Sequence, residues 1–498
     1  MTAGKYENKH KETVYSKNNR TISFSTSMLK FPLLFILILF TVSAGAANEI
    51  IEINPVNTPH GAVIFIVDGL SSCYVYPEYT PYAIDGSILD KADTEKIQYI
   101  FDQSSRVLDV VAPQTFTEGG HSVLVTGYSR ADGILVGSSG TTIYDIAHDY
   151  RYMTFGVMQK GDSSGMCSKQ HVIIHDTSNS VNEPAMVTKT NMLSGPQKSI
   201  SFAVAELMQE HSATLQKRLE KYPEGSQERY DLYNIWAIET GIAVIDLMGT
   251  EYPGQKYILT INAGAVDSAG HYKKDSGYIA SIEGIDNATM ELYLACLENN
   301  IAFILTGDHG MGFPTRDSRG GHQAEKYSVM PESQKVPFVI AAKDVNIAII
   351  EGQFGQEDIA LTILDILNIP GKLRAADGTV IPVKDYVNIM VNVPGEGELI
   401  LIDDETVLFQ NTVHESILFL GMVPDSDHTL KYIPSSDPGK EVKMQINTGS
   451  SMVVDMHAPS EHSENHKSYQ NPRYIIGGGV IAIVNLAGLM GIRKVLKE

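Results

Sequence analysis

The stretch AVIFIVDG, residues 62–69, decides the fold class that we predict for this chain. Its first six residues are apolar, and the run is too short for a helix but continuous, as in a strand buried on both faces. Similar runs occur at residues 257–262 (YILTIN), 301–306 (IAFILT) and 336–341 (VPFVIA). Helical patterns lie between or after them, at residues 200–219, 230–248, 278–297 and 358–367. Strands that alternate with helices predict an α/β fold around a mostly parallel sheet.

The pattern of apolar, polar and turn-forming residues changes along the chain and divides it into regions. We expect the α/β domain to span residues 48–383, with a cap or insertion at about residues 129–253, where the alternation is interrupted. Residues 384–456 carry short alternating runs separated by Pro, Gly and Asp turns, which predict a small domain resembling a β-sandwich. Residues 457–473 are polar and are expected to form a linker.

An apolar segment near the start of the chain is typical of a secretory signal. Residues 33–47 (LLFILILFTVSAGAA) are short for a bilayer span and end in small residues with an A-x-A pattern at Ala44 and Ala46. We therefore interpret residues 1–47 as a leader and signal peptide, with Met28 as a possible true start. An uncleaved signal anchor is the alternative.

A second apolar segment lies near the other end. Residues 474–492 contain no formal charge and would span about 28 Å as a helix, close to the thickness of a bilayer core. Basic residues follow in the tail at 493–498, so the positive-inside rule predicts a single-pass protein with the bulk of the chain outside the cytoplasm. A buried core helix is the alternative interpretation.

The composition excludes several classes of protein. Lys and Arg number 38 against 59 Asp and Glu, so the net charge of −21 disfavours nucleic acid as a partner. The chain contains three cysteines, Cys73, Cys167 and Cys296, too few and too scattered for a disulfide framework or a thiolate zinc cluster. The composition does not predict an oligomeric state.

Carboxylates and imidazoles follow the ends of several predicted strands. Asp68 follows the first strand, and Asp308 and His309 follow the strand at 301–306. Asp267 lies four residues before His271, and His322 stands in a Gly-Gly-His sequence. Each of these residues alone is a common turn or capping residue. Together they resemble the ligands of a two-metal site, and the mixture of carboxylate and imidazole favours Zn²⁺, with Mn²⁺ as an alternative.

A nucleophile is expected at Thr117, in the segment TFTEGGHSVLVTG at residues 115–127. The segment predicts a loop that enters a short helix, with Thr117 at or near the N-cap. Free N–H groups and the helix dipole would favour a negatively charged oxygen there, although a threonine hydroxyl also needs activation by a metal ion. His121, one turn later, is compatible with either core packing or a supporting role beside the metals.

These residues occur in the order Asp68, Thr117, Asp267, His271, Asp308, His309, His322, which resembles the alkaline phosphatase superfamily of two-metal phosphoryl and sulfuryl transfer enzymes. TEGGHSVLVTG (117–127), INAGAVDSAGH (261–271) and LTGDHGMG (305–312) resemble segments of cofactor-independent phosphoglycerate mutases. The first of these is also similar to a segment of nucleotide pyrophosphatase/phosphodiesterases. The resemblance extends over residues 61–383, apart from the central insertion.

The resemblance implies a three-layer sandwich with two metal ions and a named set of ligands. Asp68, Thr117, Asp308 and His309 would hold one metal, and Asp267, His271 and His322 would hold the other. Thr117 would attack a phosphate ester and form a phospho-threonine intermediate. The implied function is a surface-anchored hydrolase of small phosphate esters.

Departures from the family patterns narrow this expectation. The formylglycine motif of type I sulfatases is absent around Cys73 and Cys167, and Asn262 stands where alkaline phosphatases carry a Glu ligand for a third metal. A mutase-like phosphotransferase is one alternative, although Arg130, Arg151 and Lys160 are only scattered candidates for its substrate clamp. A catalytically retired surface scaffold or adhesion protein is the other. The sequence does not identify the substrate-binding residues.

Overall fold

The computed structural model describes residues 49–159, 164–191, 195, 197–370 and 373–456. Its strands are β1 (Glu49–Glu52), β2 (Gly61–Val67), β3 (Ser105–Val111), β4 (Met153–Met158), β5 (Val172–Asp176), β6 (Met186–Thr190), β7 (Tyr257–Ala263), β8 (Ile301–Thr306), β9 (Lys335–Ala341), β10 (Ile349–Gly355), β11 (Val387–Asn392), β12 (Gly397–Asp403), β13 (Thr406–Val413), β14 (Ile417–Met422), β15 (Asp427–Pro434), β16 (Val442–Asn447) and β17 (Met452–Asp455). Its helices are α1 (Ser72–Val75), α2 (Glu95–Asp102), α3 (Thr117–Thr126), α4 (Gly133–Gly137), α5 (Ile143–Asp149), α6 (Ser164–Lys169), α7 (Gln197–Leu219), α8 (Gln227–Glu251), α9 (Ala265–Tyr272), α10 (Lys274–Glu283), α11 (Asp286–Glu298), α12 (Glu325–Ser328), α13 (Pro331–Gln334) and α14 (Asp358–Ile366).

A nine-stranded, mostly parallel sheet organises the larger part of the described residues. Its strand order is β10-β3-β9-β8-β2-β7-β4-β5-β6, and β9 and β6 run antiparallel to their neighbours. Every residue of β2 is buried, and its side chains alternate between two hydrophobic clusters: Val63 and Phe65 pack in one, Ile64 and Ile66 in the other. Because both faces are covered, the strand reads as a continuous apolar run rather than an alternating one. The predicted mixed α/β fold is confirmed.

The expectation of a cap or insertion at residues 129–253 needs correction. Three strands from this stretch, β4, β5 and β6, extend the central sheet next to β7. The sequence pattern missed them because Gly156 and the polar residues of β6 interrupt any long apolar run. The described helices of this stretch lie outside the sheet.

The helix expected at residues 278–297 is also corrected, because the structure divides it into α10 and α11 at Gly284 and Ile285. Gly284 packs so closely against the side chain of Asp231 that a Cβ there would collide with it. The close approach of α8 therefore accounts for a glycine at this break.

Two four-stranded sheets form the C-terminal all-β region, with orders β1-β14-β11-β17 and β13-β12-β15-β16. Apolar residues of both sheets, including Leu401 and Phe419, form a single core cluster. The sequence did not predict β15, nor that β1 would pair in parallel with β14. This pairing joins the first described residues of the chain to the C-terminal region.

Several expectations fall outside the described residues. These are the signal segment at 1–47, the linker at 457–473, the transmembrane segment at 474–492 and the tail at 493–498. Among the helices that are described, none combines the length and the apolar character that a membrane span requires.

Candidate metal centre

The predicted ligands converge at one edge of the central sheet. Strands β8, β2 and β7 lie side by side and run parallel, so their carboxyl ends meet at this edge. Asp68 directly follows β2, Asp308 follows β8 after one glycine, and Asp267 lies in the first turn of the helix that follows β7. All three carboxylates are buried, with relative exposures of 0%, 0% and 2% for Asp68, Asp308 and Asp267. Open α/β sheets place their sites at this position.

One group of ligands surrounds His309. Its Nε2 atom lies 3.4 Å from Asp308 Oδ2 and 3.8 Å from Asp68 Oδ1. The hydroxyl of Thr117 lies 3.3 Å from the same nitrogen. Ligand atoms of Asp68, Asp308 and His309 lie within 4.8 Å of one another, as binding of a single ion requires. The four residues that the resemblance assigned to one metal are therefore brought together.

The other group surrounds Asp267. Its Oδ1 atom lies 3.3 Å from Nε2 of His271 and 3.3 Å from Nε2 of His322. His271 is one turn beyond Asp267 on α9, which places both side chains on the same helix face. The imidazole of His322 also stacks on that of His309, with ring centroids 3.8 Å apart. The two groups are therefore adjacent.

All three ligand histidines have the same orientation. The Nδ1 atoms of His271, His309 and His322 lie 3.3, 2.9 and 2.7 Å from the backbone carbonyls of Gly320, Gly310 and Thr115, respectively. A carbonyl only accepts hydrogen bonds, so each Nδ1 donates a proton and each Nε2 faces the carboxylates. This arrangement is typical of metal-ligating histidine.

The charges of these groups also suit a cation. Burial lowers the pKa of His309 to about 4, despite the opposing effect of Asp308, so this ring is neutral near pH 7. Burial alone would lower the pKa of His322, but its hydrogen bond to Asp267 and the charge of that carboxylate raise it. The pKa of His322 is raised because its ring faces negative charge that a cation would otherwise balance.

The two carboxylate oxygens of Asp308 differ in their hydrogen bonding. Asp308 Oδ1 accepts hydrogen bonds of 2.9 Å from the backbone amides of Gly69 and His309. Its Oδ2 atom is buried and receives no hydrogen bond from the described residues. A buried carboxylate oxygen that faces imidazole lone pairs is unfavourable without a cation. The residues present therefore fit two divalent metal ions.

The nucleophile candidate lies at the start of α3. Phe116 is the N-cap and Thr117 the first helical residue, so the amides of the first turn are not paired within the helix. Gly120, one turn later, packs against the backbone of Asp308 so closely that a Cβ would collide with it. This contact places Thr117, which is partly exposed, beside the metal centre.

Three further residues lie close to the site, and for only one of them, His121, did the sequence suggest a supporting role, with core packing as the alternative. His121 is buried, and its Nε2 atom lies 3.8 Å from Asp308 Oδ2 and 3.5 Å from the amide nitrogen of Asn262. The Gln356 amide donates hydrogen bonds of 3.0 and 2.7 Å to the carbonyls of Gly307 and Asp308. Gly120 is the third. His121 was the only one with a sequence signal, its position one turn after Thr117.

The candidates for a substrate clamp are less informative. Arg130 is exposed and lies over the ring of Tyr128 at 6.0 Å, and Arg151 is exposed. Lys160 lies outside the described residues.

A family model described as the Metalloenzyme superfamily matches residues 243–370. The matched segment contains Asp267, His271, Asp308, His309 and His322, whereas Asp68 and Thr117 lie before it. The expected superfamily is confirmed, but no nearer relative within it is identified. None of the curated proteins matches the chain in sequence.

The chain is also similar to several solved structures. Wild-type alkaline phosphatase PafA is 11% identical, with a TM-score of 0.45 and coverage of 66% of this chain and 100% of that chain. The 2-O GAG sulfatase BT1596 is 9% identical, with a TM-score of 0.41 and coverage of 78% and 83%. The sulfatase yidJ from Bacteroides fragilis, described as putative, is 9% identical, with a TM-score of 0.41 and coverage of 78% and 90%.

Proposed function

We propose that this metalloenzyme is a surface-anchored two-metal hydrolase of small phosphate esters that acts through a phospho-threonine intermediate. The observation that carries the proposal is the position of the Thr117 hydroxyl, 3.3 Å from Nε2 of His309 and next to two groups of metal-ligating side chains. A hydroxyl in this position is a candidate nucleophile for phosphorus.

Different residues of the chain would bind the two metal ions and the phosphoryl group. Asp68, Thr117, Asp308 and His309 would hold one divalent ion, and Asp267, His271 and His322 the other, with Zn²⁺ favoured over Mn²⁺. When bound, the two ions would lower the pKa of the threonine hydroxyl and stabilise charge on the leaving oxygen. The unpaired amides at the start of α3 would favour negative charge on the phosphoryl group.

The reaction would proceed in two steps. Thr117 Oγ1 attacks phosphorus, the bond between phosphorus and the ester oxygen breaks, and the alcohol departs. Water then cleaves the phospho-threonine, which releases phosphate and restores the hydroxyl. The partial exposure of Thr117 supports this role, because both the ester and the water must reach it.

The test is metal-dependent release of p-nitrophenol by the purified full chain. The monoester, the diester and the sulfate ester would be compared, with Zn²⁺, Mn²⁺ or a chelator present. Thr117→Ala should lower turnover on the order of 10³-fold, whereas Thr117→Ser should retain much of it because it keeps a hydroxyl. Acid-quenched wild type should carry one phosphoryl group on the peptide that contains Thr117.

Other results would favour other functions. Interconversion of phosphoglycerates without net hydrolysis would favour a mutase, and preferential turnover of the sulfate ester would favour a sulfatase. A chain that binds no metal would contradict the proposal and favour a retired scaffold.

The membrane anchor is a separate part of the proposal and rests on the sequence of residues 474–492. The full chain should remain in the membrane fraction after extraction at alkaline pH, whereas a chain that ends at residue 473 should be released. Release of the full chain under the same conditions would contradict the anchor and leave the hydrolase proposal intact.

A further inference from the structure

Gly69 lies between the carboxylates of the two groups of candidate metal ligands. Its N–H donates a hydrogen bond of 2.9 Å to Asp308 Oδ1. A Cβ at Gly69 would lie 3.0 Å from both Cα and Cβ of Asp267, so the two residues pack without room for a further side chain. Its φ of +76° is also one that glycine adopts without strain. Because Gly69 directly follows Asp68, a change in its backbone would affect candidate ligands of both groups.

The turn that contains Gly69 is held by a tyrosine of α10. Tyr278 is fully buried, and its hydroxyl donates a hydrogen bond of 2.8 Å to the Gly69 carbonyl and accepts one of 3.3 Å from the Ser71 amide. Burial raises the pKa of Tyr278, and the charges of Asp267 and Asp308 raise it further, so the hydroxyl keeps the proton that it donates. The N–H of Gly69 is thus fixed by a candidate ligand, and its carbonyl is fixed by Tyr278.

Two buried aromatic rings hold Tyr278 in place. The ring centroids of Tyr74 and Phe313 lie 5.0 and 5.6 Å from that of Tyr278, both in edge-to-face geometry. Aromatic pairs prefer this arrangement, which restrains the orientation of the ring that the two pairs share. The Tyr74 hydroxyl also donates a hydrogen bond of 2.9 Å to the Met311 carbonyl, in the segment after β8. The three rings therefore connect the turn after β2 with the segment that carries the candidate ligands after β8.

We propose that Tyr278 is a positioning residue of the metal centre, which holds Gly69 in place and thereby orients the carboxylate of Asp308. This inference rests on the metal ions of the proposed function and adds a residue for which the sequence predicted no role in the site. The Gly69 amide binds Oδ1 of Asp308, which leaves Oδ2, 3.4 Å from Nε2 of His309, as the oxygen that faces a metal ion. Tyr278 acts through this backbone contact and takes no part in bond making. Its loss should weaken metal binding without removing a ligand.

The first experiment titrates the metal-free full chain with Zn²⁺ and compares two variants that lose only a hydroxyl. Tyr278→Phe keeps the ring of Tyr278. Tyr76→Phe is the matched control, because the hydroxyl of buried Tyr76 likewise accepts from the Phe338 amide at 2.9 Å and donates to the Phe338 carbonyl at 3.4 Å, in β9. Each variant loses two hydrogen bonds to the backbone, so both should lower the urea midpoint similarly in the presence of chelator. We expect the Zn²⁺ affinity to fall about tenfold in Tyr278→Phe and to keep the wild-type value in Tyr76→Phe.

The second experiment uses wild type and measures whether the turn is formed before metal binds. Hydrogen exchange would be followed by mass spectrometry on a peptide that contains Gly69 and Ser71, with Zn²⁺ or with a chelator. Because Tyr278 holds the turn without metal, we expect slow exchange under both conditions, whereas the exposed turn at residues 404–405 should exchange quickly under both. Fast exchange with the chelator and slow exchange with Zn²⁺ would mean that metal orders the turn. That result would overturn the inference even if Tyr278→Phe did not fold.

The outcomes separate this inference from the function on which it rests. Wild-type affinity in Tyr278→Phe, or an equal loss of affinity in Tyr76→Phe, would overturn the positioning role and leave the metal centre standing. If wild type itself binds neither Zn²⁺ nor Mn²⁺, the proposed function fails, and the inference fails with it. Metal binding by wild type without turnover of any phosphate ester would overturn the hydrolase alone, because the role of Tyr278 is measured by metal affinity.

Discussion

Nε2 of His271 lies 2.9 Å from Nε2 of His322, although each ring donates its Nδ1 proton to a backbone carbonyl. If both rings are neutral, their two lone pairs repel each other at this distance unless a proton or a metal cation lies between them. Asp267 Oδ1, 3.3 Å from both nitrogens, adds negative charge at the same point. We therefore expect the stability of the protein to depend on bound metal.

Removal of metal is expected to lower the free energy of unfolding. Each ion that binds only the folded state stabilises it by about 2.7 kcal/mol when free metal is 100 times the dissociation constant. Thermal unfolding followed with Zn²⁺ and with a chelator should show a clear fall in Tm with the chelator. His271→Ala should reduce the metal-dependent gain, whereas His414→Ala, at an exposed site in the C-terminal region, should not. Equal Tm values with and without metal would contradict the metal centre.

Loss of His121 is expected to weaken metal binding without unfolding the protein. Its Nε2 atom lies 3.8 Å from Asp308 Oδ2, so the imidazole lies next to a candidate ligand oxygen. Removal of such a partner typically costs about 10- to 100-fold in metal affinity. Calorimetric titration of His121→Ala with Zn²⁺ should show this loss, and His121→Gln should recover part of it. Wild-type affinity in His121→Ala would assign the residue to packing alone.

A methyl group at Gly120 is expected to disturb both stability and the site. The added Cβ would collide with the carbonyl of Asp308, which would push α3 away from the metal centre. Overpacking of this kind costs about 1–3 kcal/mol. Gly254→Ala is the control, because a Cβ there meets nothing within 4 Å. Urea unfolding should separate the two variants, and similar midpoints would argue against the contact.

Acid is expected to destabilise the protein partly through His171. Burial, together with the nearby His148, lowers the pKa of His171 from 6.5 to about 4. Between pH 6.5 and 4 the unfolded chain therefore binds a proton at this residue that the folded chain does not. The free energy of unfolding should fall as the pH decreases through this window, by at most about 1.4 kcal/mol per pH unit from this group.

The measurement is urea unfolding at several pH values between 7 and 4. His171→Asn keeps an acceptor for the Thr154 amide, which donates to Nδ1 of His171 at 2.9 Å, and should show a shallower dependence on pH. His414→Asn, at an exposed residue, should retain the wild-type slope. A wild-type slope in His171→Asn would contradict the assignment.

Much of the candidate site could be predicted from the sequence, because of the positions of its residues relative to the predicted strands. Asp68, Asp267 and Asp308 each follow a run of buried strand residues, and parallel strands bring such positions to one edge. His271 was accessible because a spacing of four residues places it above Asp267 on one helix face. Their convergence followed from these local rules and from the resemblance to a known superfamily.

Other features depended on contacts between distant parts of the chain. Gln356 carries no local signal of its purpose, and the position of His121 left core packing and a supporting role open, because each residue approaches Asp308 across the tertiary fold. The pairing of β1 with β14 joins residues more than 360 positions apart, and no local pattern specifies the partner of an edge strand. The same is true of β4, β5 and β6, whose place in the central sheet is set by the neighbours that cover them.

The sequence by itself determined the fold class and supplied the candidate ligands and the candidate nucleophile, because hydrophobic periodicity and residue chemistry are local properties. Tertiary structure alone decided which imidazole nitrogen faces the centre, because a backbone carbonyl holds the other nitrogen. It also decided how closely α3 approaches Asp308, through the missing side chain of Gly120. Such features depend on packing, which the spacing of residues along a chain does not specify.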